Sequence, residues 1–264
     1  MALLNTLWDR IPFEVEVPYA MRPHMRPWQA GEPILTQDQD FDCYQAAKLD
    51  NYDPVYGDSA RPDLVYAAAD ALRKYDPSAP VIQSDAPVWQ LTRALQEDFV
   101  IWALNNQGDL SAQILSVCLP SGWDPREKVN RTFLEIHEPI PDFELVNKAA
   151  DHIARMITTR GPFTRSVWSI ANRPGLNRHP SKIEPWHNET LADMWFRCER
   201  QTTIPVEGHA ALFLIRVYMV PLQDVFCDEQ KKQKIIDSVM SMTDAVIDYK
   251  GFGYLKNYFF NRRA

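Results

Sequence analysis

The sequence predicts an α+β domain in which about five antiparallel strands are flanked by helices. Three observations carry that prediction. The apolar run Phe99–Leu104 and the run 110–119 are joined by the turn Asn105-Asn-Gln-Gly-Asp109, a hairpin signature. Helical periodicity follows over 124–137 and 142–158. Three more strand-like runs, 165–172, 194–203 and 210–220, then precede terminal helices over 228–242 and 243–249.

Taken in order, residues 1–84 read as an extension that wraps the core. Pro12, Pro18, Pro23, Pro27 and Pro33 impose extended backbone, an acidic and aromatic stretch spans 38–58, and a helix is expected over 62–74. In that helix Leu64, Val65, Ala68, Leu72 and Tyr75 form one stripe. No repeat or Gly/Ser linker divides residues 85–264, which read as one domain. Ser84 caps a helix that carries Trp89, Leu91, Leu95 and Asp98. Asp124-Pro125-Arg126-Glu127 then combines an acidic N-cap, proline at N1 and glutamate at N3. From that start Val129, Phe133 and His137 fall four apart on an apolar face, and Glu138-Pro139 ends the helix.

The strand over 194–203 alternates with period two. Met194, Phe196, Cys198 and Arg200 share one face, and Trp195, Arg197, Glu199 and Gln201 share the other. Arg200 thus ends an otherwise apolar face, where a guanidinium needs an anion or a polar ligand. Arg197 and Glu199 read equally well as a solvated pair or as functional groups. The next strand adds Arg216 and Tyr218. His137 has two readings: a cation satisfying a helix C-terminus, or an imidazole ligating iron from a dry apolar stripe.

Composition excludes several classes of function. The chain of 264 residues is 45% hydrophobic and 24% charged, ample for a packed core. A net charge of −7 speaks against nucleic-acid binding, which needs a basic face. With only 9 glycines there is no G-x-G-x-x-G and no G-x-x-x-x-G-K phosphate cradle. The four cysteines, at 43, 118, 198 and 227, form no C-x-x-C, so reduced thiols are expected rather than a zinc or iron–sulfur centre. The longest apolar runs are six residues, whereas a membrane span needs ~20. No signal-like start is visible, and a cytoplasmic protein is expected.

Six segments occur in a telling order: Ile136-His137-Glu138-Pro139-Ile140-Pro141, Val167-Trp168-Ser169-Ile170, Arg197-Cys198-Glu199-Arg200-Gln201-Thr202, Ile215-Arg216-Val217-Tyr218, Pro221-Leu222 and Tyr249-Lys250-Gly251. Over roughly residues 20–255 the chain resembles the α subunit of haem-dependent oxidative N-demethylase, most strongly over 117–222. The resemblance implies a PAS-like domain that binds haem b through His137, with Phe133, Trp168, Arg216 and Tyr218 around the cofactor. It implies activation of O2 at the ferrous haem and oxidative removal of a methyl group from a small amine. Arg200 would meet the bound oxygen, and Glu199 or Arg197 would orient it, bind a propionate or relay protons. FMN, iron–sulfur and NADPH chemistry would sit on a separate reductase. Between Ile170 and Met194 no acidic amine-binding residue matches, and Trp186, His187 and Glu189 read as a lid or a surface loop. A haem-PAS gas or ligand sensor and a haem-free PAS-like partner are the alternatives.

Overall fold

A computed structural model describes residues 11–21, 24–53, 61–141 and 143–262. Pro23 and the end of the acidic stretch, 54–58, lie outside them. The strands are β1 (Arg26–Pro27), β2 (Asp98–Leu104), β3 (Leu110–Ser116), β4 (Phe163–Ala171), β5 (Trp195–Val206) and β6 (Ala210–Pro221). They form one antiparallel sheet in the order β1-β4-β5-β6-β2-β3. The sixth strand is the two-residue β1, too short to carry a periodic signature.

Among the described residues nine α-helices accompany the sheet: α1 (Phe41–Leu49), α2 (Pro62–Tyr75), α3 (Pro87–Ala94), α4 (Phe133–His137), α5 (Phe143–Thr159), α6 (Leu222–Val225), α7 (Glu229–Ser241), α8 (Asp244–Lys250) and α9 (Gly253–Phe260). Sequence periodicity misses α1, α6 and α9. Ser84 accepts a bond from the Ala86 amide at 3.0 Å, but the helix starts at Pro87 and ends at Ala94, so Leu95 and Asp98 lie beyond it.

The expected helix over 124–137 is broken in two. Asp124 caps a single 3-10 turn, Pro125–Glu127, by accepting from the Arg126 amide at 2.9 Å. Asn130 then turns left-handed at φ 60° and donates to the Ala112 carbonyl, while Ala112 donates to the Arg131 carbonyl. These rungs on edge strand β3 replace the intrahelical bonds, and asparagine tolerates the turn better than most residues. Helix α4 restarts under a capping box between Thr132 and Glu135. Val129 therefore does not share a helix with His137.

The two faces of the sheet are covered differently. Behind it, α2 and α3 close one apolar cluster over Phe99, Ile101, Leu212 and Leu214, and α6 to α9 close another over Trp168, Phe196, Cys198, Tyr218 and Val220. In front lie α4, α5 and the loop after β3, packed on Val100, Trp102, Ile215 and Val217. Strand β6 outruns β2, whose last rung pairs Asp98 with Ile215. The segment 34–48 lies along the remaining edge. Tyr44 donates its hydroxyl to the Val217 carbonyl at 2.6 Å, and Arg216 reaches Asp38 at 2.9 Å. Lys48 bonds the Leu95 carbonyl at 3.0 Å and lies 3.6 Å from the buried Asp98 carboxylate.

Candidate functional site

His137 stands at the end of α4 with its orientation determined by its own helix. Its Nδ1 lies 2.6 Å from the Phe133 carbonyl, which can only accept, so Nδ1 carries the proton and Nε2 keeps its lone pair. The imidazole lies on the Phe133 ring at 4.1 Å between centroids, and Phe133 meets the edge of Trp102 at 5.9 Å. Burial pushes the imidazole pKa down to about 4, and the nearby cations Arg165 and Lys128 act in the same direction. At neutral pH the ring is an uncharged donor of one nitrogen lone pair.

The surroundings of this imidazole are apolar but incompletely packed. No residue of α4 is fully buried; Phe133, Leu134, Ile136 and His137 are all half-buried, as are Phe143, Val146 and Ala149 at the start of α5. The sheet residues of the same parity repeat the pattern: Arg165, Val167, Ser169, Glu199 and Met219 are half-buried. Their neighbours facing the other way, Trp168, Ile170, Phe196, Cys198, Tyr218 and Val220, are buried. The space between these helices and the sheet, called the trough below, thus has one imidazole on its helical side and a polar strip on its sheet side.

That strip is a connected network. Ser121 donates to Glu199, Gln201 donates to the other Glu199 oxygen at 2.9 Å, and Arg165 donates to the side-chain Oε1 of Gln201 at 2.7 Å. Arg197 is almost fully buried and donates to Ser121 Oγ at 2.7 Å, the Leu176 carbonyl at 2.7 Å and the Leu119 carbonyl at 2.9 Å. It also lies 3.8 Å from Glu199. Arg197 therefore ties two loops, which meet at the Ser121–Arg178 bridge, to the end of the sheet. Burial lowers the pKa of both arginines, and the Glu199 carboxylate opposes that shift in each.

The expected site residues divide between the two faces. His137, Phe133, Glu199 and Arg197 share the front. Arg200 faces the back and donates to the carbonyls of Pro33 and Ile34, not into the trough. Trp168 also faces the back, stacked on Phe196 at 6.1 Å and packed on Phe252 at 6.3 Å. Arg216 lies between the rings of Tyr44 and Tyr218, 4.0 and 4.7 Å away. Arg200, Trp168, Arg216 and Tyr218, expected around the same cofactor as His137, thus lie across the sheet from it. The apolar parity of β5 is the packed core, and the polar parity faces the trough. Arg165 and Ser121 escaped sequence reasoning as site residues, whereas Gln201 stood with Arg197 and Glu199 as the alternative active surface of the strand and pairs with Arg165 in register.

The loop bearing Trp186, His187 and Glu189 packs on α9, with Trp186 stacked on Tyr254 at 5.4 Å and the Tyr254 hydroxyl on the Glu189 carbonyl at 2.8 Å. His24, His152, His187 and His209 are exposed, and His179 spends both ring nitrogens on Ser181 and Asp124. Among the described residues no three His, Cys, Asp or Glu side chains converge on a metal position. A porphyrin brings four nitrogens of its own and asks the protein for one axial ligand, which His137 can give.

A family model described as haem-dependent oxidative N-demethylase, alpha subunit-like, matches residues 67–259. The chain belongs to this family. The match to the N-demethylase alpha subunit-like family takes in α4, α5 and strands β2 to β6, hence the whole trough. The family's name carries haem dependence and describes one subunit of a larger system. Among the described residues of this alpha subunit-like chain, no helix is long and apolar enough to cross a membrane.

Proposed function

We propose that the chain holds haem b through His137 Nε2 and serves as the haem subunit of a cytoplasmic oxidative N-demethylase-like monooxygenase. One observation carries this reading: a neutral imidazole of assigned tautomer projects from a half-packed apolar helix opposite a buried polar strip. Family membership supports it. So does strand order, since without β1 the sheet reads β3-β2-β6-β5-β4, the order of a PAS-like sheet. When bound, haem supplies the oxidising chemistry with O2 that detaches a methyl group from a small amine.

The remaining roles belong to the chain's own side chains. Phe133 and Trp102 pack beside the ligand histidine and keep water from it. Arg165 presents a cation to a carboxylate of the cofactor. Glu199, held by Ser121 and Gln201, presents a carboxylate to the cationic nitrogen of an amine and can take its proton. Arg197 positions Ser121 and both loops. Electrons come from a separate reductase carrying FMN, an iron–sulfur centre and NADPH.

Haemin titration of the purified protein, followed through the Soret band, tests the cofactor. The expected result is one haem per chain, with stoichiometric loading lost in His137→Ala. A spectrum unchanged by that substitution overturns the assignment. Formaldehyde release from dimethylamine-class substrates with NADPH and a reductase tests the activity. A loaded protein that binds gases yet releases no formaldehyde from any methylamine is a sensor, not a demethylase.

A further inference from the structure

We propose that a groove where the helices of the back layer meet the start of α5 is the docking site for a basic one-electron donor protein. The groove lies between the N-terminal segment and helices α5, α7 and α8. It encloses ≈ 220 Å³ and is lined by Tyr19, Met21, Leu145, Ser241, Thr243 and Val246. Large apolar side chains stand in water around it: Leu145 is 60% exposed, Val17 50% and Tyr249 48%, with Tyr249 close enough to Tyr19 to raise its pKa alongside burial. Among the described residues these groups stand uncovered, which marks a binding surface more than a solvated one.

Charge selects the partner. Exposed Glu16, Glu144, Asp244 and Asp248 each adjoin a groove or flanking residue in the chain, against Lys148, Lys256 and the half-buried Lys250. Lys256 bonds Asp244 at 3.0 Å, yet the Asp244 side chain remains 93% exposed. The rim is therefore acidic around an apolar centre, and the whole chain carries −7. A basic protein that inserts an apolar side chain complements both features.

The groove wall also leads inward, and here the inference rests on the haem reading. Tyr19 meets Trp168 edge-on at 6.3 Å, and Lys250 ties them together, 5.3 Å from the Tyr19 ring, 5.7 Å from the Trp168 ring and donating to the Trp168 carbonyl at 3.1 Å. The strand neighbours of Trp168, Val167 and Ser169, face the trough. An electron delivered at the groove thus has two aromatic rings between the donor and the sheet. The donor loses one electron and the cofactor gains it, with no bond made or broken.

The test uses cytochrome c, a basic one-electron carrier, as the probe in isothermal titration calorimetry against the full-length protein. Raising salt from 20 to 200 mM should weaken binding about tenfold or more. E144K/D244K/D248K should weaken it at least about tenfold at low salt. Leu145→Asp decides between a specific groove and general attraction, because it adds negative charge while removing an apolar contact. It should weaken binding about fivefold or more, whereas D70K on α2 should leave it unchanged. Binding by Leu145→Asp as tight as by the parent overturns the proposal, as does self-association in sedimentation velocity that this substitution abolishes, since a second copy would then be the occupant. Haem content, read from the Soret band of each variant, separates the two hypotheses. Full loading with lost docking is expected. If the parent protein takes up no haem, the haem reading fails and the redox role with it, while the calorimetry still decides the docking surface.

Discussion

The two faces of the sheet come from the same strands, one residue out of phase, and they are put to different uses. Behind β4 to β6, Ile170, Phe196, Cys198 and Val220 are buried under α6 to α9, and a chain of ring contacts runs from Phe13 to Phe196, Trp168 and Phe252 at 5.7, 6.1 and 6.3 Å. In front, Arg165, Val167, Glu199 and Met219 are half-buried under helices that bury little. The back holds the fold together, and the front holds ionisable groups in fixed positions. Alternation along a strand lets one segment do both, because a substitution on one parity leaves the other in place.

The sharpest way to break this contrast is to exchange the roles of its two arginine- and histidine-bearing surfaces. His137→Ala on the front should abolish haem loading with far-UV circular dichroism unchanged, while Arg200→Ala on the back should load haem fully. Loss of loading in Arg200→Ala with retention in His137→Ala would reverse the assignment of faces. Next in size is the core itself. Phe196→Ala should cost about 3–5 kcal/mol in urea unfolding. Glu199→Gln, its near neighbour on the other parity, should stay within about 1 kcal/mol yet lower amine turnover. Equal destabilisation by both would show that the front is core too.

Arg197 sharpens the comparison, since it is buried on the front face, among its ionisable groups, yet serves structure. Arg197→Lys should cost about 2–4 kcal/mol, because one ammonium cannot span the three acceptors that the guanidinium fork reaches. A melting temperature equal to that of the parent would refute the loop-tying role. A further test lies in pH. The His137 pKa is about 4 in the folded chain, against ~6.5 in an unfolded one. The unfolded chain therefore binds the proton first, so this group's contribution is complete above about pH 6.5 and declines as pH falls toward 4. In haem-free protein, urea midpoints between pH 7 and 4 should fall less steeply for His137→Gln than for the parent. Parallel slopes would place the titration elsewhere.

Much of this architecture was legible in the chain. Strands β2 to β6 announce themselves as apolar or strand-like runs, and β5 and β6 even show which residues share a face. What alternation cannot say is which face receives a cofactor. Phe196 and Cys198 pattern alike whether they line a pocket or a core, so alternation alone did not reveal that Arg200 and Trp168 lie across the sheet from His137. The break before α4 was hidden for a related reason. Asp124-Pro125 is a sound helix start, but whether Asn130 continues the helix or bonds to β3 depends on a strand about twenty residues earlier in the chain, which no local signal reports. Arg165 becomes a neighbour of His137 only once β4 and β5 are aligned.

Strand β6 has a further consequence, for solubility. Beyond Ile215 its backbone would present an open row of hydrogen-bonding groups, the kind of edge along which chains add to one another into aggregates. Tyr44, Arg216 and the segment 34–48 cover it, so this part of the N-terminal region works as a guard on the sheet. A chain truncated at residue 50 would keep every residue of the trough and still expose that edge. It should come out of a cell as inclusion bodies, where the full-length chain stays in solution.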